Sequence, residues 1–350
     1  MVVKWNNWNK RKNNFDKYKD IKSDLIYGTL SKKVPEVSIM IITYKRADKL
    51  KIALDSAINQ DYKMKYEIIV CDDSGYDKET DLLMKKYCKK YKNIIYYRHE
   101  KNLGQYANWN RACELCRTNW YCLLHDDDIL KENYLTLLMN SKDRFVDIGL
   151  IGVYEEANDT RSDNKDKKVR FIDRLINTFI RINNGKLINL SLKDNIKHIY
   201  VMNSTFINKE KAIEIGGLDD NYFPSSDFAF SAKMAYYYKT CFLPLKLVYK
   251  GIGESESLKQ SVCDDSIKCA YNQTYAMCKT LKYSDKNAKR KASIAAVISE
   301  IGVKGYNDVD YGKVKEKLGM KSIYNNRLII NLINLYSKIM WGLLLFRRGK

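Results

Sequence analysis

From residue 37 the chain alternates between two patterns. Unbroken apolar, largely β-branched runs of strand length come at VSIMIITY (37–44), YEIIVCDD (66–73), NIIYYRH (93–99) and WYCLLHDDD (120–128). Such runs are typical of parallel strands covered on both faces. Helical periods lie between them. In RADKLKIALDSAINQ (46–60) the apolar positions fall at 47, 50, 53, 54, 57 and 58. DLLMKKYCKKY (81–91) and ANWNRACELCR (107–117) read as helices too. The order β-α-β-α-β-α-β with short connections predicts an α/β fold with a doubly wound, mostly parallel sheet. Ligands on such sheets bind beyond the carboxyl ends of the strands. Thr43, Asp72, Asp73 and Asp126 to Asp128 all stand at such ends.

Beyond this the pattern loosens. DIGLIGVY (147–154) reads as a strand, 155–170 as a polar loop and 171–183 as a helix. HIYVMNSTFIN (198–208) reads as a strand with a turn, followed by a helix ending at Gly216-Gly217. Residues 255–350 are mainly helical, with polar breaks near 284 and 305. Before Pro35 the chain is a Lys/Asn-rich lead-in carrying Trp5 and Trp8. This divides the chain into a basic lead-in (1–34), two halves of one α/β domain (35–135 and 136–254) and a helical extension (255–350).

Composition narrows the class. The chain has 350 residues, 45% hydrophobic and 30% charged, which excludes wholesale disorder and fibrous structure. Only three prolines occur, and no 20–50-residue period repeats. The net charge is +20, of which residues 1–35 carry +6 and residues 251–350 carry +9. A nucleic-acid reader would concentrate positive charge on its recognition domain. Charge at the two ends suits an anionic membrane surface instead, so no nucleic-acid partner is expected. The start lacks the apolar core of a secretory signal, and nine cysteines show no disulfide framework. Free thiols in a reducing cytoplasm follow. Cys113 and Cys116 form a lone CxxC, read as two small residues on one helix face.

The C-terminal run LIINLINLYSKIMWGLLLF (328–346) is 19 residues long, between Arg327 and Arg347-Arg348. Asn331, Asn334 and Lys338 make a polar stripe along it. That suits a helix lying in a membrane interface, with a buried core helix, a homo-oligomer contact and a true span as the alternatives. The expected location is cytoplasmic, peripheral on the inner face of the cell membrane.

The chemistry concentrates in HDDDIL. Adjacent carboxylates at one strand tip repel one another, and a divalent cation relieves this. Oxygen ligands with open positions suit Mg²⁺ or Mn²⁺ bound together with substrate phosphates. A solvated acidic loop or a helix cap is the plainer alternative. Asp72 and Asp73 on a neighbouring strand tip favour a nucleotide–metal site.

Five segments in order, PEVSIMIITYKR, EIIVCDDSGYD, NLGQYANWNRA, WYCLLHDDDIL and FINKEKAIEIGGLDDNYFPSSDFAFSAKMA, resemble the family-2 glycosyltransferases, which have the GT-A fold. The resemblance runs through residues 35–250 and makes 35–135 the nucleotide-sugar half and 136–254 the acceptor half. It implies that Thr43, Tyr44 and Arg46 line the nucleotide pocket together with Asp72, Asn102 and Gly104. Asp73 would accept the N3 proton of a pyrimidine base. Asp126 and Asp127 would hold ribose, diphosphate and metal, with Asp127 the direct ligand and Asp128 beside it. Asp227 would be the general base, with a helix cap as its structural alternative. Three positions depart from the pattern. His125 stands where an acid is common, and would contact phosphate or metal or else simply pack; Ser226 also stands where an acid is common, and Trp109 where a diphosphate-binding arginine is common. Arg111 is the nearest substitute, or else a solvated helix position.

The resemblance implies an inverting, Mn²⁺- or Mg²⁺-dependent enzyme that moves a sugar from a UDP- or dTDP-sugar. The acceptor would be a hydroxyl of a glycan or a polyprenyl-diphosphate-linked intermediate of surface-polysaccharide synthesis. A sugar nucleotidyltransferase is the rival on a related fold, but TYKRADKL lacks the glycine-rich loop such enzymes carry after strand one.

Overall fold

The computed structural model of the chain describes residues 5–159, 178, 185–196, 205–252 and 260–304. Nearly all of the helix expected at 171–183, most of the 198–208 segment and the whole run 328–346 lie outside the described residues.

The four apolar runs become parallel neighbours. They are β2 (Val37–Thr43), β3 (Tyr66–Asp72), β4 (Ile94–His99) and β5 (Trp120–His125). All seven residues of β2 are buried, as are six of seven in β3. Helices α1 (Ala47–Ile58), α2 (Lys78–Lys90) and α3 (Gln105–Leu115) connect them. The apolar face of α1 is Leu50, Ala53, Leu54 and Ala57, as its spacing predicts. Asp77 caps α2 by accepting from the Thr80 amide at 2.9 Å. Helices α1 and α2 cover one face of the sheet, and α3 covers the other with Trp109, Ala112 and Cys113.

The chain runs outward from β2 to β3 to β4, then returns to place β5 on the other side of β2. The carboxyl ends of β2 and β5 therefore flank a topological switch point, where open sheets leave a crevice. The sheet continues through β9 (Phe206–Asn208), β7 (Ile148–Asp159) and β10 (Lys239–Ile252), with β6 (Ile129–Leu130) beyond and β8 (Ile188–Leu190) also on β10. Strand β9 is antiparallel to both β5 and β7, so the sheet is mixed and mostly parallel around the site. The short helices α4 (Tyr134–Met139), α5 (Leu192–Ile196) and α6 (Lys209–Glu214) precede α7 (Ser226–Tyr237). Two long helices, α8 (Gln260–Thr280) and α9 (Asp285–Lys304), close the described chain.

The polar lead-in is built into the domain. Its residues Ser23–Tyr27 form β1, antiparallel to β4 at the sheet edge. Trp5 and Trp8 are buried in a cluster with α5, α7 and α8. Trp8 donates to Thr280 Oγ1 at 3.2 Å, and Trp5 packs 4.3 Å from the Tyr222 ring. Asn14 bonds the Gly216 carbonyl through both its amide N–H and its side chain. Gly216, at φ +89°, leaves no room for a Cβ against the Lys12 carbonyl. The Gly216-Gly217 corner is thus the seat of the N-terminal segment.

Candidate functional site

One cavity of about 690 Å³ opens at the switch point. Thr43, Tyr44, Arg46, Asp73, Asn102, Gly104, Asp126, Asp127, Asp128 and Asp227 all line it. These residues come from three strand tips, one turn and one helix start, spread over 185 positions of sequence.

The inner wall is a carboxylate held from two sides. Asp126 is almost fully buried. It accepts from Thr43 Oγ1 at 2.8 Å and from Arg46 Nε at 3.3 Å, and it ion-pairs with Arg46 Nη2. Arg46 Nη1 reaches Asp127 at 3.5 Å. Burial pushes Asp126 up to about 6 in spite of these partners. Asp73 is the second buried acid. Its two oxygens accept from the Leu103 amide at 2.6 Å and the Gly104 amide at 2.9 Å. Gly104 sits at φ +84°, a conformation that side-chain-bearing residues rarely adopt. Asn102 Nδ2 donates to the Asp73 carbonyl at 3.2 Å, which closes the turn. Burial pushes Asp73 up to about 6 as well.

Asp72, expected in the nucleotide pocket, does not line the cavity. Successive strand residues point to opposite faces. Its carboxylate accepts from Tyr96 OH at 2.5 Å, from the Ser74 amide at 2.9 Å and from Ser74 Oγ. It braces the turn after β3.

His125, Asp127 and Asp128 bring one ligand atom each within 4.8 Å of one another. His125 Nε2 is buried without a hydrogen-bond partner. An imidazole nitrogen and two carboxylates suit a first-row divalent cation, and such an ion would satisfy the orphaned nitrogen. The set differs from the expected one in a single member. Asp126 is taken up by Thr43 and Arg46, and His125 stands in its place. Trp109 packs edge-on to the His125 ring at 4.9 Å, so the arginine position of α3 is an apolar wall. Arg111 does not line the cavity. It is buried and donates to the Tyr18 and Ile21 carbonyls, each at 2.8 Å.

Asp227 lies in the first turn of α7, half-buried. The N-cap position is Ser225, whose side chain makes no capping bond, and Asp227 follows two residues on. Its Oδ1 accepts from the Phe228 amide at 2.8 Å. Burial raises its pKa above the usual carboxylate range, with Lys250 among the groups pulling it back.

The family model for glycosyl transferase family 2 matches residues 38–214, just over half of the chain. The chain belongs to this family. Its match to an uncharacterized glycosyltransferase of Methanocaldococcus jannaschii is 36% identical over 96 residues, covering 27% of this chain and 33% of that one. Poly(ribitol-phosphate) beta-N-acetylglucosaminyltransferase TarP of Staphylococcus aureus is 30% identical over 123 residues, covering 34% and 36%. The chain thus spans about a third of the length of these relatives. Among solved structures, S. aureus TarS 1–349 in complex with UDP-GlcNAc aligns with TM-score 0.53 at 13% identity, over 88% of this chain and 90% of that one. Mannosyltransferase PcManGT from Pyrobaculum calidifontis, in complex with GDP-Man and Mn²⁺, aligns with TM-score 0.50 at 12% identity, over 94% and 91%. These likenesses establish the GT-A fold.

The rest of the cavity wall comes from residues to which the sequence reading gave no role. Tyr106, Phe223, Pro224, Lys250, Gly251 and Val262 also line it. Tyr106 OH donates to the Pro224 carbonyl at 2.7 Å, which ties α3 to the start of α7. Gly251 N–H donates to Asp128 at 3.2 Å, and Gly251 has no room for a Cβ against the Asp127 carbonyl oxygen. The only sequence signal for this contact is a glycine inside a strand, which marks close backbone approach.

Proposed function

We propose that this family-2 chain is an inverting glycosyltransferase that uses a pyrimidine nucleotide-diphospho-sugar. The observation that carries the reading is convergence. A base-binding acid (Asp73), a metal-ligand set (His125, Asp127, Asp128) and a raised-pKa acid at a helix start (Asp227) share one cavity. Asp73 accepts the N3–H of uracil or thymine. Thr43, Arg46 and Asp126 shape the ribose and phosphate wall. His125, Asp127 and Asp128 hold Mn²⁺ or Mg²⁺, which supplies Lewis-acid charge against the diphosphate when bound. The acceptor hydroxyl attacks the anomeric carbon opposite the leaving diphosphate, and Asp227 takes its proton. A carboxylate whose pKa is raised by burial is a stronger base than one in water.

The acceptor class is a glycan or polyprenyl-diphosphate-linked hydroxyl in surface-polysaccharide assembly, at the cytoplasmic face of the membrane. The name of TarP, a poly(ribitol-phosphate) beta-N-acetylglucosaminyltransferase, supports a polymer acceptor. A thermal-shift panel tests the donor: a ligand at 100 times its Kd stabilises by about 2.7 kcal/mol. UDP- and dTDP-sugars with Mn²⁺ are expected to raise Tm, and EDTA to remove most of the shift. A shift with purine nucleotide-sugars alone would overturn the pyrimidine assignment.

A further inference from the structure

A cavity that binds a diphosphate needs cationic side chains facing it. Among the described residues three line this one: Lys45, Arg46 and Lys250. Arg46 is committed to Asp126 and Asp127. Lys45 sits in a left-handed turn at φ 51°, with its Nζ 5.3 Å from the centre of the Tyr44 ring. Lys250 is held differently. Its ion pair with Glu155 is 4.0 Å long, at the outer limit of such a contact, and its side chain remains 43% exposed.

The backbone around Lys250 is fixed against the acidic loop. Strand β10 pairs in parallel with β7, Lys250 opposite Ala157 and Gly251 opposite Asn158. On its other side Tyr249 pairs with Ile129 of β6, directly after the HDDD segment. The bond from Gly251 to Asp128, and the close approach of Gly251 to Asp127, then clamp β10 onto the metal-ligand loop. The Lys250 charge acts on both Asp128 and Asp227. Lys250 lines the same cavity as the metal-ligand set and the proposed base. Helix α3 supplies no further cation: Trp109 packs on His125, and Arg111, the one basic residue of the helix, is buried beneath residues 18–23.

We propose that Lys250 is the leaving-group cation of this enzyme, its ammonium binding the phosphate oxygen to which the sugar is bonded. The assignment rests on the glycosyltransferase reading above. In the transfer step the acceptor oxygen bonds to the anomeric carbon. The bond from that carbon to the phosphate oxygen breaks, and its electron pair stays on the oxygen. The acceptor's proton passes to Asp227. The nucleoside diphosphate leaves with one more negative charge than it carried as an ester. Lys250 keeps its proton throughout and offsets that charge as a charge-assisted hydrogen-bond donor.

Calorimetry on the full chain with Mn²⁺ tests this, using uridine, UMP and UDP and the matching thymidine and guanosine series. Lys250→Ala is expected to weaken UDP by on the order of ten- to hundredfold. Uridine affinity and Tm should stay at wild-type values, and kcat should fall. Lys250→Gln should behave alike, since it keeps the stem and loses the charge; Lys250→Arg should recover most of the UDP affinity. Unchanged UDP affinity and kcat in Lys250→Ala would overturn the assignment. So would an equal loss for uridine and UDP, which would mark a structural role. A wild-type protein that binds no nucleoside diphosphate would instead bring down the glycosyltransferase reading, and Lys250 with it.

Discussion

Asp73 accepts two backbone N–H bonds, which alone would lower a carboxyl pKa. Burial outweighs them and holds it at about 6. The folded state thus binds this proton more tightly than the unfolded chain, where the group has its ordinary value. By linkage, stability falls as pH rises from about 4 to about 6 through this group, by roughly 3 kcal/mol, and is flat above that. A pyrimidine N3–H needs the ionised form. Uridine affinity should therefore drop about tenfold per pH unit below about 6, with proton release on binding near that pH. Calorimetry from pH 5 to 8 in two buffers of different ionisation heat measures both. Asp126 is also held at about 6, and Asp73→Asn separates the two, because only Asp73 faces the base in this reading. Affinity flat across the range would take Asp73 out of the base contact. Asp227→Asn asks a different question. An asparagine Oδ1 can still accept from the Phe228 amide, so the amide should leave Tm near wild type. Transfer should fall about 10²–10⁴-fold, the usual loss for a missing general base. Wild-type turnover in that variant would mean another group takes the proton.

The elements that could be read from sequence are those whose burial is complete. Strands β2, β3 and β5 are covered on both faces, so their apolar runs are unbroken and their polar ends stand out. That exposed Thr43, Asp73 and Asp126 to Asp128 as one crevice. Strand pleating then decides between Asp72 and Asp73, and a pair of identical residues carries no mark of which faces in. Strand β1 has only Ser23 to Tyr27, none of them fully buried, so no apolar run announces it. Its partner lies some 70 positions later, at β4. Lys250 was hidden for a related reason. β10 is long and its register shifts three times against β7, which breaks any simple alternation. Arg111 shows what such distant pairing is worth. It bonds Tyr18 and Ile21 carbonyls and Ser23 Oγ, and it ion-pairs with Glu114. Arg111→Met would leave those carbonyls without their donor, at a cost of about 2–4 kcal/mol. Denaturant melts should show that loss, and limited proteolysis should cut first between residues 19 and 22. A variant as stable as wild type would mean that other contacts hold the segment.

Across the whole molecule the charge is uneven, with the surplus at the two ends. Among the described residues no helix is long and apolar enough to cross a membrane. The apolar run 328–346 lies outside them, and its reading as an interfacial helix stays a proposal. Removing residues 324–350 should release the protein from anionic vesicles in flotation, and 1 M salt, with a Debye length near 3 Å, should do so in part. Equal flotation of the truncated chain would place the membrane contact elsewhere; unfolding would make the run part of a core. The N-terminal tryptophans carry a last consequence, in time rather than space. Strands β2 to β5, whose tips carry most of the cavity's polar residues, lie between residues 37 and 125, so they can pair while the rest is still being made. The partner of Trp8 is Thr280, 272 positions later. At about 5–20 residues per second a ribosome needs roughly 15–55 s to cover that distance. For most of that interval two large apolar rings wait for their neighbours, which are made in stages from Leu192 to Thr280. The residues synthesised first are among the last to be placed, and the nascent chain is most open to chaperones and to aggregation at the end that later fastens α8 to the sheet.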